Sequence, residues 1–179
     1  MKLFEIDIVD HHWIDRNPDN TKDECSHGRF LLTINGQIIL GEEDDVRDWT
    51  TCTSVLRLLR TIDEDFLEAR DFGVLLHCGG IEMISCPISI DWLLWHEGDM
   101  VCIKEIKKYL TWKDEEVIEF PGLTARISKE HYVSEVVKVA TQVKDFFRIS
   151  KPREYFNETA RRQSAEFWKE FDLLTAKHS

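Results

Sequence analysis

The hydrophobic positions near the N-terminus recur every second residue. Phe4, Ile6 and Ile8 fall on one side and Glu5 and Asp7 on the other, which predicts a half-buried strand over residues 2–9. Residues 10–28 are polar, carry Asn17, Pro18, Asn20 and Gly28, and read as a long acidic loop. In RFLLTINGQIIL, residues 29–40, two β-prone runs flank Asn35-Gly36. That dipeptide tolerates the positive φ values of a type I′ turn, so it predicts a two-residue hairpin. Residues 41–48, GEEDDVRD, form an acidic connector.

The period then changes. In DWTTCTSVLRLLRTI, residues 48–62, the apolar positions Cys52, Val55, Leu56, Leu59 and Ile62 recur at helical spacing. Asp48 or Thr50 suits the N-cap, and Arg57 and Arg60 suit the negative end of the helix dipole. Residues 63–72 read as an acidic loop. Residues 73–110 predict an antiparallel meander, with turns at Gly79-Gly80 and near Glu97-Gly98 and with Pro87 opening a strand. Residues 114–119 read as another acidic loop and residues 123–127 as a strand. A helix follows over residues 129–149 on the stripe Val133, Val136, Val137, Ala140, Val143 and Phe147. Lys151-Pro152 breaks it, and a last helix over residues 158–177 buries Phe167, Phe171 and Leu174. The expected class is α+β: an antiparallel sheet, hairpin plus meander, with one internal helix and two C-terminal helices packed on it. The length of 179 residues suits one domain over residues 1–179, mostly β with one helix through residue 128 and a helical tail over residues 129–179.

Charge and cysteines narrow the class. The net charge is −11, and residues 1–72 hold 17 Asp/Glu against 8 Lys/Arg. Such a field repels nucleic acid and anionic lipid and attracts basic partners. The N-terminal residues lack the apolar core of a signal peptide, and no apolar run reaches the roughly 20 residues that span a bilayer. The five cysteines (Cys25, Cys52, Cys78, Cys86, Cys102) are odd in number and lack CxxC spacing. Together these features predict a cytoplasmic protein with reduced thiols.

Each candidate for chemistry has a plainer reading. His11, His12, Cys25 and His27 are zinc-type ligands, but their spacing is not that of a structural zinc site. A histidine-rich polar loop is the plain reading. His77 and Cys78 are adjacent, so in a strand they point to opposite faces and cannot form an activated pair. The carboxylate pairs Asp44-Asp45 and Glu115-Glu116 lie in polar segments, where solvent equalises their pKa values. Asp91, flanked by Ile90 and Trp92, is the more unusual acid; a hydrogen-bonded or water-facing strand residue is its plain reading. The chain contains neither GxxxxGK[ST] nor GxGxxG, and no cofactor is expected. Lys151, Arg153, Arg161 and Arg162 form a basic patch in an acidic chain.

A protein-binding face is the remaining candidate. Acidic segments carrying Glu42, Glu43, Asp44, Asp45 and Asp48, then Asp63, Glu64 and Asp65, then Asp114, Glu115 and Glu116, flank Trp49 and Trp112. Tryptophan anchors ringed by carboxylates would steer and hold a basic partner. Both tryptophans could equally be core residues, with the acids merely solvating.

Four stretches occur together: DWTTCTSVLRLLRTI (48–62), LLHCGG (75–80), CPISIDWLLWHEGD (86–99) and FWKEF (167–171). Their arrangement resembles bacterial immunity proteins of polymorphic or contact-dependent growth inhibition toxin systems. The resemblance implies a non-enzymatic, cytoplasmic inhibitor of a cognate basic toxin domain, such as a nuclease, and carries over no site residues. A small-molecule or peptide-binding module, and a metal- or thiol-dependent hydrolase built from His11, His12, His77, Cys78 or Asp91, are the alternatives.

Overall fold

A computed structural model describes residues 3–42, 48–67, 73–77, 81, 88–110 and 116–179. Its elements run β1 (Phe4–His12), β2 (His27–Ile34), β3 (Gln37–Leu40), β4 (Trp49–Thr50), α1 (Thr51–Arg60), β5 (Leu75–Leu76), β6 (Ser89–Glu97), β7 (Met100–Tyr109), β8 (Val117–Glu119), β9 (Ala125–Ser128), α2 (Lys129–Ile149) and α3 (Glu158–His178). The fold is α+β, and all strand pairs among the described residues are antiparallel.

The predicted hairpin forms. Ile34 pairs with Gln37 across Asn35-Gly36, whose φ values of 48° and 79° are both positive, as a type I′ turn requires. Hairpin and meander do not merge, however. β1, β2 and β3 make one sheet with β4 also on β2, while β5 to β8 make a second with β9 also on β7. The β6–β7 turn falls at Gly98, as expected. The expected turn at Gly79-Gly80 and the strand start at Pro87 lie outside the described residues. Residues Val117–Glu119, read as loop, form β8 instead. They pair with Lys107–Tyr109 of β7, and Lys107 Nζ meets Glu119 Oε1 across the strands at 2.9 Å.

The sequence predicts a one-sided stripe for α1; the structure buries eight of its ten residues, including Thr51, Thr53 and Ser54. Buried hydroxyls need partners, and the neighbours supply them. Thr51 Oγ1 donates to the Ser26 carbonyl at 3.0 Å, and Ser54 Oγ accepts the Leu76 N–H at 2.9 Å. The helix has no side-chain N-cap; the Thr51 N–H donates to the Ser26 carbonyl at 2.8 Å. Beyond the C-terminal end, Thr61 Oγ1 bonds the buried Tyr132 hydroxyl of α2 at 2.7 Å.

Helix α2 closes the open edge of β1. Glu135 Oε2 accepts the Ile6 N–H, Gln142 Oε1 accepts the Ile8 N–H, and His131 Nε2 donates to the Phe4 carbonyl. The three side chains sit four and seven residues apart, so they share a helical face. Three strand-edge groups that would template pairing with another chain are thereby occupied. Helix α3 docks through Arg60 to Glu170 and through Phe167 and Phe171, which join the common core.

Ser54→Ala should strand the buried Leu76 N–H and lower stability by about 1–3 kcal/mol. Leu59→Ala, which opens a cavity at a fully buried site, should cost about 2–5 kcal/mol. Urea denaturation of both variants checks the order and size of the two losses.

Candidate functional site

Three of the histidines gather where β1 ends, because the chain there leaves its regular register. A bulge separates Val9 from His12, and Asp10 takes a positive φ of 56°. His11 and His12 consequently point apart. The His11 ring stacks on Phe146 of α2, centroids 4.1 Å apart, and its Nε2 bonds Thr51 Oγ1 at 2.9 Å. Burial, followed by the nearby His12 and His27, pushes the His11 pKa down to about 4, so the ring is neutral at pH 7.

His12 turns the other way. Its Nδ1 donates to the Asp10 carbonyl and its Nε2 lies 3.1 Å from Asp48 Oδ2. Arg16 forks onto Asp10 with both terminal nitrogens, at 3.1 and 2.9 Å, and reaches Asp48 at 3.4 Å. The Arg16 hydrogen bond holds the Asp10 carboxyl below its usual range. His27, on β2, faces Asp23 Oδ2 at 3.4 Å. Burial works to raise the Asp23 pKa, but bonds from His27 and from the Ile14 and Cys25 N–H groups hold it below the usual value.

The loop between β1 and β2 is tied down at both ends. Cys25 and Cys52 form a disulfide, Cα to Cα 5.9 Å, that joins it to α1. This corrects the expectation of reduced thiols at these two positions; 27 residues separate them in sequence, so spacing gave no warning. Trp13 packs on Phe146 and Phe147 and stacks under the Arg153 guanidinium, 3.9 Å from its ring centre. Arg153 also donates to the Asn20 carbonyl at 2.7 Å. Two members of the expected basic patch, Lys151 (on Asp19) and Arg153, thus serve this loop.

The zinc set His11, His12, Cys25 and His27 is not assembled. Cys25 is spent in the disulfide, and each histidine has its own partner. Asp10, His12 and Asp48 do converge, each offering a ligand atom within 4.8 Å of the others. The pattern of residues missed them because 36 positions separate His12 from Asp48, a gap that the β1–β2 and β2–β4 pairings close together. His77 sits edge-on to the Trp49 ring, centroids 6.1 Å apart; Cys78 lies outside the described residues.

The expected partner face fares unevenly. Glu42, Asp63, Glu64, Asp65 and Glu116 are exposed. Trp49, expected as a surface anchor, is instead 1% exposed and part of the core, because β4 tucks it against β2. Asp48 serves His12 and Arg16. Asp63 clamps Lys129, Lys177 and His178, at 3.3, 2.7 and 2.9 Å, and Lys177 above all draws its pKa down to about 2 against some burial. Asp65 binds His96 Nδ1 at 2.8 Å. Glu43, Asp44, Asp45, Trp112, Asp114 and Glu115 lie outside the described residues.

Asp91 is buried at 3% exposure, within β6 and between neighbours rather than on an edge. Gly73 passes directly over it: a Cβ there would sit 2.2 Å from Asp91 Oδ1. Among the described residues that oxygen has no hydrogen-bond partner. Burial raises the carboxyl pKa to about 7, despite Ser89 and Arg57. Arg57 donates to the Gly73 carbonyl and is itself pushed down to about 10 by burial. Arg57, Arg60, Thr61, Glu64, Phe66 and Val74 line a hollow of about 220 Å³ beside this pair. No described helix is long and apolar enough to cross a membrane.

Comparison with protein-family models, with curated proteins and with solved structures finds no match to this chain.

A buried acid with a raised pKa stabilises the fold below the unfolded value of 3.8 and loses that contribution as pH rises to about 7. Asp91→Asn should therefore gain up to about 4 kcal/mol over the wild type at pH 8 and gain little at pH 4. Urea titrations at the two pH values measure the difference; parallel curves would show the carboxyl is not paying for its burial. Reduction of Cys25–Cys52 should cost about 2–4 kcal/mol, seen as a lower melting temperature with a strong reductant that Cys52→Ser reproduces.

Proposed function

We propose that this chain is a non-enzymatic binding protein that neutralises a basic toxin domain made beside it. The observation that carries the reading is the charge: −11 overall, concentrated in residues 1–72, with Glu42, Glu64 and Glu116 at the surface. Carboxylates spread over an exposed face raise the association rate of a basic partner and fix its register. Part of this charge is already paired within the chain, since Asp48 meets Arg16, Asp63 meets Lys129 and Lys177, and Asp65 bonds His96. Docking in this reading rests on Glu42, Glu64 and Glu116 and on the acidic runs beside them in sequence. It places the chain in the cytoplasm of the producing cell, where burial of both cysteines (2% and 0% exposed) shields the Cys25–Cys52 bond from soluble thiols.

A second reading, a small-molecule-binding module, draws on the hollow beside Arg57 and Phe66, which combines apolar walls with two guanidinium groups. A ligand that fills it should raise the melting temperature.

The tagged protein should capture a basic, stoichiometric partner from its native host at low salt and release it at high salt. Charge reversal by Glu42→Lys together with Glu64→Lys should slow association with that partner at least tenfold at low ionic strength, with the difference fading in about 0.5 M salt. Capture that ignores salt, or a double variant that associates at the normal rate, would sink the acidic-face reading.

A further inference from the structure

We propose that Asp10, His12 and Asp48 form a binding site for a divalent transition-metal cation of the zinc class. The site is independent of any protein partner.

His12 is the central group. It is 9% exposed, and its Nδ1 donates to the Asp10 carbonyl. With Nδ1 committed to that carbonyl, Nε2 is the nitrogen turned toward the carboxylates. Metal-ligating histidines are oriented the same way, with the second nitrogen donating to a carbonyl or carboxylate. Nε2 faces Asp48 Oδ2 at 3.1 Å. A carboxylate oxygen presents lone pairs to that nitrogen, and a cation held between the two atoms is bound by both.

The spacing suits the cation. Zinc binds imidazole nitrogen and carboxylate oxygen at about 2.0–2.1 Å, which sets neighbouring ligand atoms about 3.3 Å apart on a tetrahedron. The His12–Asp48 separation of 3.1 Å is within a few tenths of that value. Asp10 supplies the third ligand from within 4.8 Å. One imidazole and two carboxylates suit zinc, and the fourth position is left to water.

Arg16 is the competitor. Its guanidinium bonds both Asp10 oxygens and Asp48 Oδ1, and its side chain is 54% exposed. It acts as the counter-ion of the metal-free cluster and is free to swing into solvent when a divalent ion takes over the carboxylates. The role separates a metal site from a plain salt-bridge network. In a network, losing Arg16 only weakens the structure. In a metal site, losing Arg16 removes a rival cation and strengthens binding.

The test is titration of Zn²⁺ alone into the chelator-treated 179-residue chain, followed calorimetrically and by melting temperature. The wild type should take up one Zn²⁺ per chain and melt about 5 °C or more higher at a hundredfold excess over Kd. His12→Gln and Asp48→Asn should each weaken binding at least tenfold, and Arg16→Ala should tighten it several-fold. His178→Gln, on the remote Asp63 clamp, should bind like the wild type. If His12→Gln does not fold, Asp48→Asn decides. The site is overturned if the wild type shows no saturable uptake, if Asp48→Asn binds as the wild type does, or if Arg16→Ala binds more weakly.

Discussion

The fold depends on a short helix buried on nearly every side. Ten residues are too few for a helix to stand alone in water, and Thr51–Arg60 carries two β-branched threonines and a serine in its first turns. What holds it is enclosure. α2 and α3 pack on it, β5 crosses its hydroxyl-bearing face, and the Cys25–Cys52 disulfide and the Ser26 carbonyl fasten its N-terminal end. Small hydroxyl side chains suit that role. They permit close approach, and each finds the partner that burial demands.

The placement of the two sheets follows from this. β2 and β4 hold the N-terminal side of α1, and β5 with β6 lies beyond it, so the core is shared between them. Helix α2 then meets two needs at once. Tyr132, Val136, Val139, Ala140 and Val143 fill the core, while His131, Glu135 and Gln142 satisfy the free edge of β1. A sheet edge covered this way cannot recruit a foreign strand.

Internal pairing also redistributes the charge. An acidic chain offers many carboxylates, yet His12, His27, His96 and His178 each sit against an aspartate. These pairs fasten loops and helix ends to the body. Asp63 in particular gathers the start of α2 and the end of α3 onto the segment after α1. Among the described members of the expected face, Asp63 and Asp65 remain exposed but are already paired, while Glu42, Glu64 and Glu116 extend into water.

Local pattern determined a good deal. Period two gave β1, the Asn35-Gly36 turn gave the β2–β3 hairpin, and period 3.6 with Lys151-Pro152 gave α2 and α3, because such signals depend only on residues a few positions apart. The α+β class followed from their order. Tertiary structure alone decided that Thr51, Thr53 and Ser54 are interior, that Trp49 is core, that Val117–Glu119 is a strand and that Cys25 meets Cys52. It alone brought His12 to Asp48 and set Gly73 over Asp91. Each of these is a contact between segments far apart in the chain, and side-chain type does not encode which distant partner satisfies it. A buried threonine and an exposed one look alike until the group that bonds it arrives.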